Sequence, residues 1–355
     1  MEEKEMVGSL LSAANWPIVG QICWVLGKVM NFIYTMLDGA LPSDTGLVGI
    51  SIILYTILVY TLMLPMTINQ QRSSKMQAVV QPEVMAIQKK KDSSIVVGLN
   101  LVKKQEADAF VSSGSTGAVL VGGQVIVGRI KGIQRPPLAP LIPTAKGVSL
   151  LIDCGANVDA RPNHLVQFAQ MGSIYMENVV GVKKPRVAIV NNGAEEEKGN
   201  ALVKATFPLL KACKDINFIG SIEARDIPAG YADVVVCEAF VGNVILKLYE
   251  GVGATMVSMI KKGMMTSLRS KVGALMVKPA LKETLKAFDA SEYGGAPLLG
   301  LKGLVVKSHG SAKSVEIRHA IFQCEQFKEE KINEKIEEFI AAEQKAQAEA
   351  KTEEK

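Results

Sequence analysis

Two hydrophobic patterns divide the chain. Residues 46–66, GLVGISIILYTILVYTLMLPM, form an uncharged apolar run of about 20 residues, the length a helix needs to cross the hydrocarbon core of a bilayer. An earlier run at 16–37, WPIVGQICWVLGKVMNFIYTML, carries Lys28 near its middle. A central lysine costs about 2.5–3.5 kcal/mol in a span, so a second span and an interfacial helix both stay open there. From Asp92 the pattern changes to short apolar runs that end in small, polar loops and lead into amphipathic stretches. ADAFVSSGSTGAVL, GVSLLIDCGANVDA, PRVAIVNNGAEEEKGN and YADVVVCEAFVGNVILKLYEG all have this form. Strand, loop and helix in repetition predict an α/β domain, with a mostly parallel sheet in a three-layer αβα arrangement. Ligands of such domains gather at the carboxyl ends of the strands.

Two further stretches read as helices. Over 254–288, Met256, Ile260, Met264, Leu268, Val272 and Leu275 or Met276 recur at three- and four-residue spacing. Lys261, Lys262, Arg269, Lys271, Lys278 and Lys282 supply the polar face. A basic, Met-rich amphipathic helix suits a lipid surface or an acidic partner, and equally a dimer interface. The charged tail at 328–355 is rich in Ala, Glu and Lys and predicts a helix, first amphipathic and then solvated.

Composition sharpens this division. Hydrophobic residues make up 48% of the chain and charged residues 21%, so the apolar excess is local rather than that of a wholly intramembrane protein. A formal net charge of +5 over 355 residues does not point to nucleic acid. Arg72, Lys75, Lys89, Lys90 and Lys91 follow the run at 46–66, whereas Asp38 and Asp44 precede it. The positive-inside rule therefore puts the following domain on the cytoplasmic side of the cell membrane. The five cysteines lack C-x-x-C spacing and the three histidines are not arranged around them, so neither a metal nor a disulfide framework is expected.

The strand-end loops hold the candidate chemistry. Ser113, Gly114, Ser115, Thr116 and Gly117 offer hydroxyls and backbone N–H groups suited to a phosphate. Asp153 and Asn157 in DCGANVD, Asn192 and Gly193 in NNGAEEEKGN, and Asn243 in FVGN occupy the same kind of position. Each also suits a plain turn. Cys154 and Cys237 sit in apolar strands and read as buried, inert thiols. Neither a Walker A loop nor G-x-G-x-x-G is present, so no nucleotide cofactor is expected.

Residues of about 86–327 resemble the phosphate acyltransferase (PlsX) family. The stretches that carry the resemblance include KKDSSIVVGLNLVK, ADAFVSSGSTGAVL, DCGANVDARPNHLVQFAQMGSIY, ADVVVCEAFVGNVILK and SEYGGAPLLGLKGLVVKSHGSA. The resemblance implies a fold like isopropylmalate dehydrogenase and phosphotransacetylase. It also implies an acyl transfer from acyl carrier protein to inorganic phosphate for phospholipid synthesis, with no cofactor, by a homodimer that touches membrane lipid. His309, Asn243 and Lys198 then become the catalytic candidates. Lys261, Lys262, Met264, Leu268, Arg269 and Lys271 become the docking surface for lipid or acyl carrier protein. Residues of about 15–90, through PIVGQICWVLGKVMNFIYTMLD and the QPE at 81–83, resemble the start of YidC-type membrane protein insertases. The two resemblances meet in a junction at 81–91, which divides a membrane segment at 1–80 from a domain at 92–327. Members of the phosphate acyltransferase family carry an opening strand and a glycine-containing loop ahead of the K-K-D-S-S stretch, and this chain is expected to be a domain shortened by them. A domain so shortened predicts little or no turnover. The alternative is an insertase fragment carrying an inactive enzyme remnant.

Overall fold

The computed structural model describes residues 17–40, 47–287 and 293–353; Trp16 and Gly46, at the starts of the two apolar runs, lie outside the described residues, as do the last two residues. The chain forms two compact units, Met1–Gln81 and Pro82–Lys355. In the first, helix α1 spans Pro17–Asp38, and helix α2 begins at Leu47 and continues to Lys89. Among the described residues, Leu47–Pro65 is the stretch long and apolar enough to cross a membrane, with a mean hydropathy of 2.3. Its large side chains are exposed rather than packed in a core, Tyr60 and Leu62 at 72% each. In α1 the Lys28 ammonium lies 5.3 Å from the Trp24 ring centroid, a cation–π contact that partly offsets a charge in an apolar helix. The junction expected at 81–91 falls mostly inside α2, which runs through it to Lys89.

The second unit begins with helix α3 (Ser94–Lys103), whose N-cap Ser93 accepts the Val96 N–H at 3.4 Å. Strand β1 (Ala109–Ser112) leads into helix α4 (Thr116–Gly122), prolonged by a wider π-type turn over Gly123–Val127. Strands β2 (Leu141–Thr144) and β3 (Gly147–Ile152) precede helix α5 (Pro162–Tyr175). Then come β4 (Arg186–Val190), helix α6 (Ala201–Ala212), β5 (Asn217–Ile222) and β6 (Val234–Val236). Helices α7 (Ala239–Met264) and α8 (Leu268–Ala287) follow. The chain closes with β7 (Ala296–Pro297), β8 (Leu304–Lys307) and helices α9 (Ser314–Glu329) and α10 (Ile332–Glu353).

These strands build two linked sheets, where the sequence predicted one. Their orders are β1-β8-β7 and β2-β3-β6-β4-β5. The pairs β1/β8, β3/β6, β6/β4 and β4/β5 are parallel, while β2/β3 and β7/β8 are antiparallel. Residues 137–139 stitch the sheets together: Ala139 N–H donates to Pro297 O, Leu299 N–H to Pro137 O, and Cys154 N–H to Leu138 O. Val234, Val235 and Val236 of β6 are fully buried, as expected of a central parallel strand covered on both faces. One face packs Ile152, Ile189 and Val306 against Phe168, Met171 and Tyr175 of α5. The other packs Leu151, Ala188 and Val235 against Val241 and Ile245 of α7. Arg186 clamps the start of β4 to Asp233 before β6, with Nε and Nη2 donating at 3.0 and 2.8 Å.

One helical expectation changes and another finds its packing partner. The helix predicted over 254–288 is broken between α7 and α8, because the Ser267 hydroxyl accepts the Ser270 N–H at 3.1 Å and starts a new helix. The tail is helical, and the apolar face expected of its first half is packed inward. Ile332, Ile336 and Ile340, spaced four apart on one face of α10, are buried and join the core cluster that contains α5.

Candidate active site

Parallel pairing sets the carboxyl ends of β1 and β8 side by side, with Ser112 opposite Lys307. The register continues one residue further, where Ser308 N–H donates to Ser112 O at 2.9 Å. Ser112 Oγ accepts the Gly114 N–H at 3.2 Å, and Ser115 caps α4 by accepting the Ala118 N–H at 3.5 Å. Two of the serines are thus committed to shaping the turn. Ser113 and Thr116 are exposed, and their hydroxyls make no hydrogen bond among the described residues; Gly114 and Gly117 complete the loop. The loop after β8 lies against it, since a Cβ on Gly310 would sit 3.9 Å from Ser113 O. His309 is exposed, and its Nδ1 accepts the Ser311 N–H at 3.2 Å, 2.7 Å from the Ser311 hydroxyl. A backbone N–H can only donate, so Nδ1 is the acceptor and Nε2 is left as the donor of the ring. Ser308 is buried, and its hydroxyl has no partner among the described residues.

The end of β3 serves a different purpose from the one the sequence suggested. Asp153 is fully buried. Its Oδ1 accepts from Leu138 N–H at 3.0 Å and Ala156 N–H at 3.1 Å, and its Oδ2 accepts from Asn157 Nδ2 at 2.7 Å. The second Asn157 amide hydrogen goes to Pro136 O at 2.9 Å. Burial pushes the Asp153 carboxyl up to about 6, against the hydrogen bonds from Leu138, Asn157 and Ala156 that favour its charged form. Asp153 and Asn157 were expected at the phosphate. They are bound instead to one another and to the backbone, so they shape the cleft from beneath.

Helix α7 docks on the same turn. Glu238 caps it by accepting the Phe240 and Val241 N–H groups at 2.6 and 2.9 Å. A Cβ on Gly242 would lie 1.9 Å from Asp153 O, so only glycine admits this approach. That contact fixes exposed Asn243, the next residue, in the first turn of α7 beside the end of β3. Cys154 and Cys237 are buried beneath it, and desolvation, with a smaller push from neighbouring charge, raises both thiols well above their usual range. As the sequence suggested, they are unsuited to act as nucleophiles.

The loop after β4 depends on a residue the sequence did not single out. Asn191 is buried and donates to Lys198 O at 3.3 Å and to Ser221 Oγ at 3.1 Å, while its Oδ1 accepts the Asn192 N–H at 2.8 Å. The exposed Asn192 and buried Gly193 are held by this one side chain. Lys198 folds back over Gly193 and pairs with Glu195 at 2.9 Å, with about half of each side chain exposed. The duplicated Asn in NNG was the available signal, but it does not say which of the two faces inward.

Helices α7 and α8 carry the docking candidates. Lys261, Lys262, Leu268, Arg269 and Lys271 are exposed, Leu268 at 83%, and Met264 is half-buried. Apolar and basic side chains are interleaved on this hairpin, with Met256, Met259, Leu275 and Met276 also exposed.

Comparison with known proteins places residues 61–335 in the family described as fatty acid synthesis protein. The match starts inside α2, upstream of the resemblance drawn from about residue 86. The phosphate acyltransferase of Alkaliphilus oremlandii is 51% identical over 261 residues, which cover 73% of this chain and 77% of that one. The phosphate acyltransferase of Clostridium perfringens is 52% identical over 256 residues, covering 72% and 76%. Among solved structures, a phosphotransacetylase from Streptococcus pyogenes aligns over 65% of this chain and 67% of its own, at 19% identity and a TM-score of 0.47.

Proposed function

The chain belongs to the phosphate acyltransferase family, and from that premise we propose that it transfers an acyl group from acyl carrier protein to inorganic phosphate. An oxygen of hydrogen phosphate attacks the thioester carbonyl carbon, the tetrahedral intermediate collapses with cleavage of the C–S bond, and the proton of the phosphate leaves with the thiol. Phosphate is itself an anionic nucleophile, so no side chain needs to form an acyl intermediate. The reaction needs position and charge. The observation that carries the reading is the pairing of polar loops at parallel carboxyl strand ends, those after β1 and β8 in one sheet and those after β4 and β6 in the other. Ser113, Thr116 and the N–H groups of 115–117 receive the phosphate, with Asn192 and Gly193 on its far side. His309 Nε2 and the Asn243 amide donate to the oxyanion that develops, and Lys198, paired with Glu195, orients the loop after β4.

The remaining parts of the proposal concern setting. Leu47–Pro65 anchors the chain in the cell membrane with the enzyme on the cytoplasmic side, and the insertase-like resemblance of the first unit reflects that role. The basic, apolar hairpin of α7 and α8 meets lipid and the acidic acyl carrier protein, and a homodimer is the working form. Turnover is lower than in the relatives. Strand β1 pairs along one edge only among the described residues, and Val97, Leu101 and Val125 on the adjoining helices are exposed. The test is to supply detergent-solubilised full chain with acyl-acyl carrier protein and phosphate and to trap acyl phosphate as its hydroxamate. Product dependent on both substrates is the expected result. A folded protein that yields none overturns the reading.

A further inference from the structure

Lys307 is the last residue of β8, and its side chain leaves the sheet on the same face as its register partner Ser112, the first residue of the hydroxyl loop. The side chains on this face one step back, Phe110 and Val305, share one apolar cluster, which fixes the direction. The ammonium is partly buried and donates to Ser308 O. None of the ion pairs among the described residues uses it. Its electrostatic neighbour is another cation, Lys247 of α7, which also bears on Cys154 at the end of β3. Lys247 has a partner of its own in Glu250 at 2.7 Å. Desolvation, and after it Lys247, lowers the Lys307 pKa from its ordinary value.

A partly buried ammonium that joins no ion pair among the described residues is an unfavourable arrangement until an anion joins it. Lys198, by contrast, already has its counter-charge in Glu195. We propose that Lys307, seconded by Lys247, forms the cationic subsite that holds a phosphate oxyanion against the 112–117 loop, and that Lys198 is not the principal phosphate-binding cation. The ligand is either inorganic phosphate or the phosphodiester of the prosthetic arm on an acyl carrier protein. The inference rests on the acyltransferase reading for its place in a reaction, but not for the binding itself.

The test uses the full chain in detergent, with Lys307→Gln to remove the charge and Lys307→Arg to retain it. Kinetics separate the two sources. A rise of tenfold or more in the KM for phosphate, with the KM for the acyl donor within twofold, assigns the subsite to inorganic phosphate. The reverse pattern assigns it to the prosthetic arm. Arginine should restore most of the loss in either case. A Lys307→Gln enzyme with both KM values unchanged overturns the proposal and leaves the acyltransferase reading intact. Should the wild-type chain show no turnover, calorimetric titration with inorganic phosphate and, separately, with 4′-phosphopantetheine still decides. Binding lost in Lys307→Gln and kept in Lys307→Arg supports the subsite without an acyltransferase, and binding of both ligands equal in wild type and Lys307→Gln overturns it.

Discussion

Gly242→Ala tests the packing that holds the cleft together. The added Cβ would sit 1.9 Å from Asp153 O, where contacts under 3.0 Å are essentially never seen. The first turn of α7 and the β3 turn must therefore move apart by more than about 1 Å, a strain of about 1–3 kcal/mol or more in a well-packed interior. That shift also stretches the bonds of 2.7–3.1 Å that hold the buried Asp153 carboxylate, and a weakened bond there costs about a further 1–3 kcal/mol. A total of roughly 2–6 kcal/mol lowers the apparent Tm by about 4–24 °C for a unit of this size. Turnover should fall by about 100-fold where the protein remains folded, because Asn243 moves with the helix. Gly251→Ala is the control, since its Cβ meets nothing within 4 Å on the same helix and should be neutral or slightly stabilising. Thermal melting and the hydroxamate assay read both effects. If the two variants melt together and turn over alike, the close approach of α7 to Asp153 does not support the site.

Four further outcomes follow from the geometry. Because the Asp153 pKa is raised from 3.8 to about 6, its charged form costs stability at neutral pH. Wild type should therefore gain up to about 3 kcal/mol relative to Asp153→Asn as pH falls from 7 towards 4, and a Tm gap that stays constant over that range contradicts this. Ile336→Ala should cost about 2–4 kcal/mol in a melting or denaturant titration, because the side chain is fully buried in the core; a loss under 1 kcal/mol argues that α10 is dispensable. Leu58→Arg places a charge mid-span at a cost of about 2.5–3.5 kcal/mol and should move protein into the alkaline carbonate extract, whereas wild type stays in the pellet. Lys261→Glu with Lys262→Glu should raise the KM for acyl carrier protein about three- to tenfold at low salt while leaving the KM for phosphate unchanged, and equal KM values place carrier docking elsewhere.

Much of the enzyme-like unit was legible because its strands are apolar runs closed by small polar loops. The places of β1, β3, β4 and β6, and the helices after the first and last of these, follow that pattern. Periodicity does not tell whether a polar residue in a turn faces in or out. Asp153 and Asn157 therefore read as ligands although they bind each other, and Asn191 passed unnoticed beside Asn192. The break at Thr266–Ser267 was obscured by an apolar spacing that continues across it, because capping by a serine is a local competition for N–H groups. Lys307 drew no attention because its significance lies in what is missing around it, and a linear sequence does not display the absence of a counter-charge.

The most direct test of the central claim is phosphate-dependent formation of acyl phosphate by the purified full chain, measured beside the Alkaliphilus oremlandii relative with the same acyl-acyl carrier protein. The account predicts hydroxamate that requires both phosphate and acyl donor, at a lower rate than the relative, and a further fall in Gly242→Ala. A folded, monodisperse chain that forms no phosphate-dependent product while the relative turns over would contradict it.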